Sequence, residues 1–146
     1  MSRSTLVDRP IDATALIAEV TSPACGAIAL FIGTVRDTND GRTVTGIEYT
    51  AYLAMAEAEL ARILAEAVRL FDRPAIAIEH RIGTLDVGEI SVAIVAGHAH
   101  RAPALDSVRY VIEQLKKRVP IWKREHYSDG ERAWIDPTAP DCEVVA

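Results

Sequence analysis

The sequence predicts an α+β fold, on three observations. Strand-like apolar runs and helical stretches follow one another in mixed order. Hairpin turn signals are prominent, at Asn39–Asp40–Gly41 and Ser128–Asp129–Gly130. Two long amphipathic stretches, 54–71 and 102–118, carry a helical period. A doubly wound parallel sheet would alternate strands and helices regularly, and this chain does not.

Taken in order, residues 4–8 predict a short edge strand before Pro10, and 11–20 a short helix with Asp12 near its start. The run A-I-A-L-F-I-G-T-V (27–35) predicts an apolar strand, with 44–52 returning as its partner after the turn at Gly41. In that partner Ile47, Tyr49 and Ala51 alternate with Glu48 and Thr50. The helix over 54–71 places Leu60, Leu64, Ala67 and Phe71 on one face, and Asp72–Arg73–Pro74 stops it. Two strands follow, 75–82 and 89–98, around turn chemistry from Gly83 to Gly88. The second is nearly all apolar and reads as the middle of a sheet.

Pro103 then stands at a good first-turn position for the helix over 102–118, which must end before Pro120. Leu105, Val108, Ile112 and Leu115 predict its buried face. At about 100° per residue, Lys116 falls on the rim of that face and Lys117 points to water, within reach of Glu113. A closing hairpin is expected from 121–127 and 132–135. The 146 residues suit one domain over 1–136, with 137–146 a loose, proline-bearing tail.

Composition narrows the function. Net charge is -5, which argues against a nucleic-acid surface spread over the fold. Cys25 and Cys142 form no C-x-x-C and no His/Cys cluster, so neither zinc nor a disulfide framework is expected. There is no signal-peptide-like start and no run of the roughly 20 apolar residues a membrane span needs. A cytoplasmic protein is the default expectation.

Against that acidic background, L-K-K-R-V-P-I-W-K-R-E (115–125) packs five cations into eleven residues. Lys116 and Lys123 flank the Pro120–Ile121–Trp122 corner. The plain reading is that Lys116, Lys117 and Arg118 complement the negative end of a helix dipole. The sharper one is that Lys116 and Lys123 together bind an anion, or that one acts as acid or base once partly desolvated. His100 and Arg101 end a buried strand and open a helix, where free N–H groups favour anions. Arg36 closes the first long strand, where it can equally pair with Asp37 or Glu48. No Gly-rich phosphate loop or nucleophile elbow is present. The residues alone point to a small α+β protein with a Lys/Arg/His anionic pocket.

Five motifs then resemble a known family in order and in kind. F-I-G-T-V-R (31–36), H-R-I-G (80–83), H-A-H-R (98–101), the 115–125 block and D-G-E-R-A-W-I (129–135) are similar to the large, catalytic subunit of molybdopterin synthase. The resemblance implies an α/β-hammerhead-type fold. It also implies conversion of cyclic pyranopterin monophosphate (precursor Z) to molybdopterin. The sulfur would come from the C-terminal glycine thiocarboxylate of a small ubiquitin-like sulfur-carrier subunit. A homodimer carrying two such partners, a heterotetramer, is implied as well. Neither cofactor nor metal is expected. By motif, Lys116 and Lys123 resemble the catalytic lysines. Thr34, Val35, Arg36, His100, Arg101, Arg124 and Glu125, with the two lysines, resemble the substrate-binding set. A Schiff-base lysine enzyme and a non-catalytic adaptor for a phosphate or a ubiquitin-like tail remain the alternative readings.

Overall fold

A computed structural model describes residues 2–135. The tail expected over 137–146, with Cys142, lies outside the described residues. The elements are β1 (Arg3–Val7), α1 (Ala13–Val20), β2 (Ala27–Thr34), β3 (Thr38–Asn39), β4 (Arg42–Ala51), α2 (Leu53–Leu70), β5 (Ala75–Arg81), β6 (Gly83–Asp86), β7 (Ile90–His98), α3 (Arg101–Arg118), β8 (Ile121–Tyr127) and β9 (Arg132–Ile135). The α+β class expected from the sequence is the class found.

One sheet has the order β1-β5-β7-β2, with β1 parallel to β5 and the other pairs antiparallel. The nearly all-apolar β7 runs through its middle, because both its faces are covered. Val92, Ile94 and Ala96 pack under α2 and α3, while Ala93 and Val95 pack against Leu16 and Val20 of α1. Asp12 caps α1 by accepting from the Ala15 amide at 3.1 Å, as its position predicted. Asp72 and Arg73 end α2 by taking left-handed backbone, with φ of 63° and 57°.

The second sheet has the order β3-β4-β8-β9, with β6 added to β4. Here three expectations need correction. The strand after Gly41 is not the partner of β2. Only the two-residue β3 pairs back onto it, while β2 pairs with β7 and β4 pairs with β8 and β6. The Gly83–Gly88 stretch is more than a turn, since β6 forms within it. Gly83, at φ 107°, swings the chain from the first sheet to the second, a conformation that a side chain would strain.

The third correction concerns α3. Its buried residues are Ala104, Ser107, Val108, Val111 and Leu115, and Leu105 is 59% exposed. The first part of that face is small, Ala104 and Ser107, where the helix packs on β2 and β7, and Ser107 returns its hydroxyl to the Ala104 carbonyl at 3.0 Å. The rotation leaves Lys116 half-buried and Lys117 exposed, as expected. Glu113 pairs with Arg109 at 3.0 Å, however, rather than with Lys117.

Candidate functional site: a two-lysine cavity

The last turn of α3 ends at Val119, whose amide donates to Leu115, and Pro120 forbids continuation. The Ile121 amide donates to the Val119 carbonyl at 2.8 Å, so helix passes to strand within three residues. Along β8, side chains alternate. Ile121, Lys123, Glu125 and Tyr127 turn inward, while Trp122, Arg124 and His126 turn to the other face. The tight corner and the alternation bring Lys116 and Lys123 to one cavity.

That cavity is lined by Tyr49, His80, Leu115, Lys116, Val119, Ile121 and Lys123. Lys123 is 5% exposed, unusually deep for a lysine. The cavity volume is about 30 Å³, more than the roughly 10–15 Å³ that one water needs.

Tyr49 and His80 were not among the residues singled out from the sequence. The alternation of β4 had already turned Tyr49 inward, which was the available signal. Their rings meet edge to face at 5.1 Å. Burial raises the Tyr49 phenol to about 12, aided by the Glu125 carboxylate and opposed by a hydrogen bond with Ser91. Burial also lowers the His80 imidazole to about 3, with the charges of Lys116 and Lys123 acting in the same direction. At neutral pH the cavity therefore holds a neutral phenol and a neutral imidazole beside its two amino groups.

Glu125 is 1% exposed on the same inward face of β8 as Lys123. Its Oε1 accepts from Asn39 Nδ2 at 2.6 Å and from the Tyr127 hydroxyl at 3.1 Å. Burial and this neighbouring carboxylate raise the Tyr127 phenol. Arg124 turns to the opposite face, where Nε donates to Glu48 at 2.9 Å and the guanidinium lies 5.0 Å from the Trp134 ring.

The end of β2 approaches the cavity through Tyr49. Ser91, which bonds Tyr49, donates to the Gly33 carbonyl at 3.2 Å. A register shift between Gly33 and Thr34 follows, and the Val35 amide donates to Glu89. Val35 is buried, while Thr34 and Arg36 are exposed at this end of the sheet.

His100 and Arg101 stand elsewhere. They open α3, and Lys116 lies in its last turn. The helix rise puts roughly 22 Å between Arg101 and Lys116. Within one chain these two groups are not brought together. His98 holds the far end: its Nδ1 accepts from the His100 amide at 2.9 Å, and its Nε2 donates to Asp72, at 3.0 Å to the carbonyl.

Fold and cavity define a class: a small α+β protein that sets two lysines, one deeply buried, around a narrow pocket suited to an anionic group. Comparison with known proteins makes this particular. A family model described as MoaE protein matches residues 6–118. The molybdopterin synthase catalytic subunit of Bacillus subtilis is 42% identical over 135 residues, covering 92% of this chain and 85% of the relative. The bovine protein of the same name is 46% identical over 115 residues, and there the match spans 79% of this chain and 61% of the relative. Among solved structures, molybdopterin synthase from Staphylococcus aureus superposes with a TM-score of 0.87 at 34% identity, covering 93% of this chain and 98% of that one. A complex of subunits 1 and 2 of molybdopterin-converting factor from Helicobacter pylori shares the fold, with a TM-score of 0.74 at 23% identity over 90% of this chain and 89% of that one. The chain belongs to the MoaE protein family.

Proposed function

We propose that this chain is the catalytic subunit of a molybdopterin synthase, which converts cyclic pyranopterin monophosphate to molybdopterin. The observation that carries the reading is the convergence of Lys116 and Lys123 on one narrow, largely buried cavity. In this reading the cavity receives the C-terminal thiocarboxylate of a small sulfur-carrier subunit. The family's relatives bear the synthase name, and a neighbour of the same fold was solved as a two-subunit complex.

The chemistry follows from charge. A phosphate-bearing substrate and an incoming thiocarboxylate repel each other, and two lysines offset that repulsion where they meet. Lys116, half-buried at the rim, acts as the principal acid/base. Lys123, deeper and on the rigid β8, orients and stabilises charge. Thr34, Val35 and Arg36 would border the substrate at the end of β2, and Glu125 would hold the inner face of β8 in register. Arg124 belongs to the proposed binding set only at the sheet's other face, through its pairing with Glu48.

His100 and Arg101 join the same site only if supplied by a second copy, given the length of α3. The reading therefore includes a homodimer, with one carrier subunit per chain and a site shared across the dimer. No described helix is long and apolar enough to cross a membrane, and a cytoplasmic location fits this role.

The test is single-turnover conversion of cyclic pyranopterin monophosphate with thiocarboxylated carrier subunit. Wild type should form dithiolene pterin. Lys116→Ala should lose about 10²–10⁴-fold in rate, the usual cost of a positioned acid/base. No product from wild type, with the carrier still bound, would replace the enzyme by an adaptor.

A further inference from the structure

His80 is buried at the end of β5, on the face that carries Ile76 and Ile78 into the main core. Its neighbour Glu79 points the other way, into Arg3 and Arg9. His80 Nδ1 lies 2.9 Å from the Arg81 carbonyl oxygen. A carbonyl can only accept, so Nδ1 carries the proton, and in the neutral ring Nε2 carries the lone pair. The cavity that this ring lines brings Tyr49 from β4, Lys116 from α3 and Lys123 from β8, and Glu125 follows on the same face of β8. The remaining lining, Leu115, Val119 and Ile121, is apolar.

We infer that His80 is a positioning residue for Lys116, its Nε2 accepting an N–H of the amino group and thereby turning the amine's lone pair toward the incoming ligand. The inference deepens the synthase reading, since it concerns the same cavity. His80 is not itself the base, because an imidazole lowered to about 3 holds no proton at neutral pH. Of the two lysines, Lys116 acts on the ring more strongly. The Arg81 carbonyl fixes the tautomer, as a partner at the other ring nitrogen does for histidines that ligate metals.

A consequence can be measured without turnover. An acceptor binds an ammonium more strongly than an amine, so it favours the charged lysine. Removing it should move Lys116 titration to lower pH. The experiment is NMR of the full chain labelled in histidine and lysine, following the His80 ring nitrogens and Lys116 Cε against pH. Expected is a ring protonated on Nδ1 and bare on Nε2 at every pH from about 5 to 9, far above its depressed titration. In His80→Leu the Lys116 midpoint should fall by on the order of one pH unit, the scale of one charge-assisted hydrogen bond. His80→Gln, which can return an acceptor near the place of Nε2, should restore it.

A ring that protonates within that range, or a Lys116 midpoint unchanged in His80→Leu, overturns the inference. Equal shifts in Leu and Gln variants would also overturn it, by showing a packing role alone. If His80→Leu does not fold, His80→Asn, whose shorter side chain withdraws the acceptor, should give the same downward shift, and no shift would be decisive against the idea. Failure of the synthase reading would show only in turnover, so the two failures are separable.

Discussion

Asn39 Nδ2 donates to Glu125 Oε1 at 2.6 Å, fastening the tip of the β3–β4 hairpin to the strand that carries Lys123. The acceptor is a carboxylate 1% exposed. Such a group is costly to leave unsatisfied, because water cannot replace the lost donor. Asn39→Ala should therefore cost about 1.5–3 kcal/mol, the range for hydrogen bonds to charged groups. Urea denaturation would check this. A loss under ~0.3 kcal/mol would mean that the Tyr127 hydroxyl alone suffices for Glu125.

Lys116 and Lys117 are adjacent in sequence and differ in surroundings, half-buried against exposed. Lys116→Ala should abolish most single-turnover product formation, whereas Lys117→Ala should leave the rate unchanged. Similar losses in both variants would mean that the charge of the helix end matters, rather than the position of one amine.

The length of α3 makes a prediction about mixed dimers. Lys116→Ala and Arg101→Ala should each be inactive alone. Mixed and allowed to exchange subunits, they should recover roughly a quarter of wild-type activity, because half the dimers are mixed and each of those holds one intact site of two. No recovery, with exchange verified by mass, would place both residues in separate roles within one chain.

His80 makes stability depend on pH. Its folded-state value, about 3, lies below the ordinary 6.5. Between those values the unfolded chain binds a proton that the folded chain refuses. Stability contributed by the neutral ring is thus complete above pH 6.5 and is lost as pH falls from there toward 3. Urea midpoints measured over that window should fall more steeply for wild type than for His80→Gln. Parallel curves would show that other groups govern the acid limb.

Arg118 ties α3 to α2 just before the corner. Its Nη1 and Nη2 reach both oxygens of Glu66 at 2.7 and 2.9 Å, and Nε reaches Glu59 at 2.7 Å. The hydrogen bonds from Arg118 and from Tyr110 hold the Glu66 carboxyl down at about 2. Arg118→Met should lower Tm by about 2–4 °C, the shift expected for a small stability loss in a domain of this size. If it also slows turnover far more than it lowers Tm, the network sets the angle of Lys116.

Local features were legible in the sequence where local physics decides them. Pro120 had to end α3, and strand alternation had to turn Lys123 inward, so the two-lysine cavity could be anticipated. The partner of β4 could not, because sheet assignment depends on pairing across dozens of residues. Of the predicted α3 face, Val108 and Leu115 are buried and Ile112 packs at its edge, but Leu105 is exposed. Hydrophobicity favours Leu105, but close approach to the sheet favours Ala104 and Ser107. His80, quoted only within the H-R-I-G motif, was given no role there because its place in the cavity depends on α3 and β8, which arrive much later in the chain.

The strand order of the first sheet has a consequence for synthesis. β1 and β2 leave the ribosome early, yet they occupy opposite edges, and their partners β5 and β7 come some 50 to 80 residues later. Until then both strands have unsatisfied backbone edges and apolar side chains that only later elements can cover. Folding must therefore wait for long-range closure, which is slow and exposes the nascent chain to misassociation. A translational pause placed after His98, once β7 has emerged, should raise the soluble yield, whereas one placed before Ala75 should lower it.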